Sequence, residues 1–220
     1  MSHNFQKIKA PFLRDGPNDR LVNVNKLAFK WLKAFSPDQI FWASEKIDGT
    51  SVGLKWDGER ISFVGHTDKS QFCPRYLEYL QSRFGIPEFE SCVEAIFGDK
   101  PVTIYGEGVS KDYNVYYGFP DGEFIMYDIQ FDGGLYAERQ FVWEVAEKLA
   151  IKVPFETKMT LQSAIDFVKT RPQSKLSSEN KMEGLVLRPL VELYDNHDER
   201  LITKIKVKDF VDCKDYKKLD

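Results

Sequence analysis

Glu45-Lys46-Ile47-Asp48-Gly49-Thr50 is the stretch at which the chain changes character. Ahead of it, Asn25-Lys26-Leu27-Ala28-Phe29-Lys30-Trp31-Leu32 spaces its apolar residues as a helix does, with Asn25 placed to cap the start. From Ile40 the period drops to two. Phe41 to Glu45 reads as a strand leading into Lys46, Thr50 to Trp56 as a second strand and Arg60 to Val64 as a third, and Asp57-Gly58 is a hairpin signal between the last two. Lys46 is thus expected at a strand end, where Gly49 lets the backbone come close to a ligand. The tetrapeptide Lys-x-Asp-Gly is weak alone, since roughly one random chain in fifteen of this size would contain it.

Downstream, Pro74 opens a helix with Leu77, Leu80 and Phe84 on one face and Gly85 closing it, and a second helix runs from Glu88 to Phe97 before Gly98. Val102 to Tyr105 reads as a strand delivering Glu107 in a turn between Gly106 and Gly108. Glu123 to Ile129 is another strand, ended by Asp132-Gly133-Gly134. Tyr136 to Ala150 reads as an amphipathic helix with Phe141, Val142, Val145, Ala146 and Leu149 inward, and Thr160 begins a further short one. Ser174 to Lys181 is polar enough for an exposed loop, and strands follow over Glu183 to Arg188 and Leu201 to Val207. Strands outnumber helices and fall mostly in hairpins and meanders, so the class is α+β, antiparallel sheet with helices on its outer faces.

The 220 residues, 42% of them hydrophobic, suit one large domain. A net charge of −3 exerts no global pull toward polyanions, so nucleic-acid binding would need a local basic surface. Three cysteines and three histidines are scattered without metal-ligand spacing, which argues against a structural zinc site. No apolar leader and no run of about 18 apolar residues is present, so a soluble, cytoplasmic protein in a reducing compartment with no membrane partner is expected.

Lys46 reads as a nucleophile that takes a nucleoside monophosphate onto its side-chain nitrogen as a phosphoramidate. Such a lysine is protonated at neutral pH, and the phosphates it attacks repel electron-rich groups. Nearby cations remedy both difficulties, and carboxylates hold the divalent metal that screens the polyphosphate. Lys204 and Lys206, two apart on a strand, leave the same face and can grip one phosphate together. Glu183 and Glu107 are the candidate metal-binding or sugar-binding carboxylates, and Tyr127 is a candidate purine platform. Taken singly, each has a plainer reading: Lys204-x-Lys206-x-Lys208 as the solvated face of an edge strand, Tyr127 as an ordinary packed aromatic, Glu107 as an exposed turn acid, His66 as a loop residue.

Taken together, the segments resemble the covalent nucleotidyltransferase superfamily of ATP-dependent nucleic-acid ligases and mRNA-capping enzymes, and most of all RNA ligases of the phage double-strand, nick-sealing type. Glu45 to Thr50, Tyr105-Gly106-Glu107-Gly108, Phe124 to Ile129, Glu183 to Arg188 and Lys204-Ile205-Lys206 follow that group's motif order. The resemblance implies an adenylation-domain fold, antiparallel sheets flanked by helices around a nucleotide cleft. It implies ATP with Mg2+ or Mn2+ as cofactors and a nicked RNA as partner more readily than DNA. It makes Lys46 the carrier of AMP within a segment that includes Ile47, Asp48 and Gly49. It sets Glu45 beside the adenine, Glu107 at the ribose, Tyr127 on the base, Glu183 at the metal-dependent steps, and Arg188, Lys204 and Lys206 on phosphates.

His66 stands where such ligases carry an arginine. Residues 1–40 form a lead-in and residues 208–220 a basic tail, with no room in either for the OB-fold many relatives carry. The expectation is therefore a single domain that works alone, with an accessory RNA-binding partner, or with Lys214, Lys217 and Lys218 as a minimal clamp. A compact DNA ligase, a non-catalytic nucleotide-binding module and an enzyme that adenylylates proteins are the alternatives.

Overall fold

The computed structural model describes residues 5–65, 70–113 and 115–211. His66 and the tail lysines 214, 217 and 218 lie outside the described residues. The chain divides into two compact units, one of Met1–Phe5 with Asp48–Val153, the other of Gln6–Ile47 with Pro154–Asp220. Each holds one antiparallel four-stranded sheet with its own apolar core, in keeping with the α+β class.

In the first unit the strands are β2 (Thr50–Trp56), β3 (Ile61–Gly65), β4 (Val102–Val109) and β5 (Glu123–Phe131), ordered β3-β2-β4-β5. Val52, Leu54, Trp56, Ile104, Phe124 and Met126 face α1 (Pro74–Phe84), α2 (Pro87–Phe97) and α3 (Arg139–Lys148). Alternation along the strands turns Ser51, Gly53 and Tyr105 to the opposite face. The β2–β3 turn forms at Asp57-Gly58, where Gly58 takes φ +106 and the Asp57 carboxylate accepts the Glu59 and Arg60 N–H groups.

Two expectations are corrected in this unit. Glu107 is not held in a turn: β4 runs on through Val109, and Glu107 pairs with Ser51 of β2 inside the sheet. The neighbouring glycine is required for packing, because a Cβ at Gly108 would lie 2.5 Å from the Tyr76 hydroxyl. The helix expected over Tyr136 to Ala150 is shorter, because Tyr136 bridges to Gln130 and the Ala137 N–H bonds the Ile129 carbonyl.

In the second unit the strands are β1 (Ile40–Glu45), β6 (Glu156–Thr160), β7 (Gly184–Pro189) and β8 (Thr203–Lys206), ordered β6-β1-β7-β8. Helix α4 (Leu161–Lys169), capped by the Thr160 hydroxyl accepting the Ser163 N–H, buries Ala164, Ile165 and Val168 against Phe41, Ala43, Leu185 and Ile205. A short helix α5 (Val207–Phe210) follows β8 directly. The helix expected over Asn25 to Leu32 does not form. Leu27 bridges to Phe12 and the Ala28 N–H bonds the Pro11 carbonyl, which takes the donors a helix would use, and only a 3-10 turn over Trp31–Ala34 remains. Among the described residues no helix is long and apolar enough to cross a membrane.

Candidate active site

In the second unit, strand register builds the site. Glu45, the last residue of β1, lies opposite Leu185 of β7, and Gly184 at the start of β7 lies opposite Lys206 at the end of β8. The three strands thus bring Lys46, Glu183 and Lys206 to one end of the sheet. The Lys46 N–H bonds the Gly184 carbonyl and the Val207 N–H bonds the Glu183 carbonyl, which pins this end on both sides. A Cβ at Gly184 would sit 2.0 Å from the Ile205 carbonyl oxygen, so only glycine lets β8 close on β7 beside Glu183.

Glu183 is buried. One oxygen accepts from Lys46 Nζ at 2.6 Å and the other from Lys206 Nζ at 2.5 Å. Burial acts to raise its carboxyl, but the Lys46 and Lys206 charges outweigh that and hold it below the usual carboxylate range. Lys204, half-buried on the same face of β8 as Lys206, is pushed down by burial first and then by the charges of Lys206 and Lys46. Lys46 has a carboxylate as direct partner, and Lys204 is the amine these neighbours lower. Three lysines face one glutamate, an excess of positive charge suited to an anion of several charges such as a polyphosphate.

Glu45, expected beside the adenine, is buried and already engaged. Its carboxylate accepts from the Ser174 hydroxyl at 2.5 Å and from the Lys175 N–H at 2.9 Å. Burial raises it more than these bonds lower it. Ser174 thereby leaves the exposed loop expected of 174–181 and becomes 4% exposed. Ile47 is buried, and Arg188 is buried in β7 opposite Trp42.

In the first unit, Gly49 donates its N–H to Glu107 Oε1 at 3.0 Å and Asp48 its N–H to the Tyr117 hydroxyl at 3.0 Å. The Tyr127 hydroxyl, on β5, and Ser51 Oγ, on β2, lie 3.1 Å apart, and Ser51 is in register with Glu107 of β4. Burial, then the Glu107 charge, pushes the Tyr127 hydroxyl well above its ordinary value. Among the described residues no group of three His, Cys, Asp or Glu side chains is placed to hold a metal ion.

The family model described as RNA ligase matches residues 39–206. The chain belongs to the RNA ligase family. Solved RNA ligase structures share its fold. One from Naegleria gruberi, a mutant with ATP and Mn, superposes with a TM-score of 0.63 at 14% identity, covering 95% of this chain and 64% of that one. The same organism's RNA ligase with PPi gives 0.62 at 15% identity, covering 94% and 60%. A further mutant of it with ATP and Mn gives 0.59 at 15% identity, covering 77% of this chain. This chain spans 50% of the length of that last protein. No curated protein sequence matches.

Within this RNA ligase family member, the contacts that sequence reasoning missed are those made by Ser174, Ser51 and Tyr117. Each is a hydroxyl whose partner is remote along the chain, 129 residues away for Ser174. No local spacing marks such a residue.

Proposed function

We propose that this protein is an ATP-dependent RNA ligase that joins a 5′-phosphate to a 3′-hydroxyl through a lysyl-AMP intermediate on Lys46. The observation that carries the reading is the Glu183 carboxylate bridging Lys46 and Lys206 with Lys204 alongside. Lys46 Nζ attacks the α-phosphorus of ATP, forming an N–P bond as the bond to the pyrophosphate oxygen breaks. For this Lys46 must shed a proton, and the like charges of Lys204 and Lys206 favour that loss while they hold the phosphates. The AMP then passes to the oxygen of a 5′-phosphate, and a 3′-hydroxyl attacks that phosphorus and expels AMP.

Magnesium or manganese, when bound, would neutralise triphosphate charge. Glu183 would offer it an oxygen, and phosphates and water would complete the shell, an arrangement usual for magnesium with one protein carboxylate. Glu107 is a second candidate for the metal. The same reading gives Glu107 the ribose, Tyr127 the base, and Arg188 a phosphate. It makes both compact units parts of one adenylyltransferase, with an accessory RNA-binding partner or the basic tail supplying further grip on the nucleic acid.

Intact-mass spectrometry after incubation with ATP and magnesium tests the first step: one added AMP, mapped to Lys46, is expected. An unmodified protein under those conditions would sink the proposal. Nicked duplexes with RNA or DNA 3′-ends then decide the acceptor, with faster sealing of the RNA end expected.

A further inference from the structure

Phe5 lies with the first unit, and its ring meets three tyrosines there. The centroid distances are 5.0 Å to Tyr105, 5.2 Å to Tyr127 and 5.7 Å to Tyr136, each in edge geometry. Tyr127 is held elsewhere at two points. Its hydroxyl pairs with Ser51 Oγ, and its backbone carbonyl accepts from the Arg139 guanidinium at 2.5 Å.

Neither bond sets the plane of the ring. The hydroxyl oxygen lies on the axis about which a tyrosine ring turns, so a hydrogen bond there fixes where the ring ends and leaves its rotation free. A flat base stacks only on a face presented at the right angle. The plane is therefore set by the side chains packed against the ring, and Phe5 is one of them, at an interplanar angle of 65°. Phe5 is braced in turn by Tyr105 at 61° and Tyr136 at 85°.

We infer that Phe5 is a positioning residue for the nucleotide base, acting by fixing the ring plane of Tyr127. This rests on the reading of Tyr127 as the base platform. Phe5 itself touches no substrate. Its contribution falls on ATP binding, and the chemical step at Lys46 is left unchanged.

The test measures lysyl-AMP formation against ATP concentration for the full chain carrying Phe5→Ala, Phe5→Leu, Phe5→Tyr or Tyr127→Ala, with a melting temperature for each. Phe5→Ala is expected to raise the KM for ATP about fivefold to tenfold with kcat within about twofold, the size of one or two lost aromatic contacts. Phe5→Tyr restores KM. Phe5→Leu keeps the apolar volume and the melting temperature but not the KM, and it carries the test if Phe5→Ala does not fold. A KM unchanged in Phe5→Leu, with or without a lower melting temperature, while Tyr127→Ala raises it, overturns the role of Phe5 and leaves the base platform standing. A KM unchanged in Tyr127→Ala overturns the platform and this inference with it.

Discussion

Glu183 binds Lys46 through one carboxylate oxygen and Lys206 through the other, at 2.6 and 2.5 Å. One acid thus restrains both the proposed nucleophile and the cation proposed to bind phosphate, and it couples the protonation of the site to the stability of the sheet end that carries it.

Glu183→Ala leaves two partly buried ammonium groups without their counter-ion, and breaking such a pair costs about 3 kcal/mol. Urea unfolding of the variant should show that loss, together with loss of the lysyl-AMP adduct. A variant as stable as the parent would show that the pair contributes nothing net.

The pH dependence follows from the same acid. The folded carboxyl of Glu183 lies below its ordinary value of 4.5, so the stability it contributes is present above that value and is lost as pH falls through the folded one. Glu183→Gln should therefore flatten the acid limb of a melting-temperature profile below about pH 5. An unchanged acid limb would mean that the pairing does not persist in solution.

Lys204 behaves oppositely. Its folded amine lies below 10.5, so its charge opposes folding at neutral pH, and stability rises as pH climbs from the folded value toward the unfolded one. Lys204→Met should raise the melting temperature at pH 7 while cutting lysyl-AMP formation at least about tenfold, as expected of a group that stabilises developing charge. Differential scanning fluorimetry and an adenylylation time course measure the two effects.

Lys46→Ala should abolish the adduct. Lys46→Arg should do the same, because guanidinium keeps its proton and is a poor nucleophile. Lys206→Ala should slow adduct formation strongly. Lys26→Ala serves as the control, since Lys26 pairs with Asp15 at the exposed surface, where an ion pair is worth little. An effect at Lys26 as large as at Lys206 would overturn the site assignment.

Ser174→Ala removes one of the two bonds to a buried carboxylate, and leaving Glu45 short of a donor should cost about 1–3 kcal/mol. Chemical denaturation measures it. A neutral result would mean that water replaces the hydroxyl.

Local signals were legible wherever one residue type dictates backbone geometry. Pro74 and Gly85 bracket α1 and Thr160 caps α4, while β2 spans the residues its alternation marks. Helical spacing over residues 25–32 misled, because those apolar side chains pack on the second core from a non-helical segment tied by Pro11 and Phe12. Strand β6 was missed: Glu156-Thr157-Lys158-Met159-Thr160 carries little apolar alternation and exists because β1 offers it a partner edge. Lys204 and Lys206 were singled out by their spacing on one strand, and Glu183 by its place at the head of the strand before it. The partners of Glu45 and Tyr127 were not, because they depend on tertiary contact alone.

The front of the chain also bears on β8. The Lys9 carbonyl accepts the Lys204 N–H and the Thr203 hydroxyl, Val22 donates to the Asp209 carbonyl, and Arg14 pairs with the Asp209 carboxylate. Trimming the first two dozen residues would strip the outer border of that strand and present its bare amides to any other extended peptide. Shortened versions of the polypeptide should accordingly clump even with the lysines around Glu183 intact.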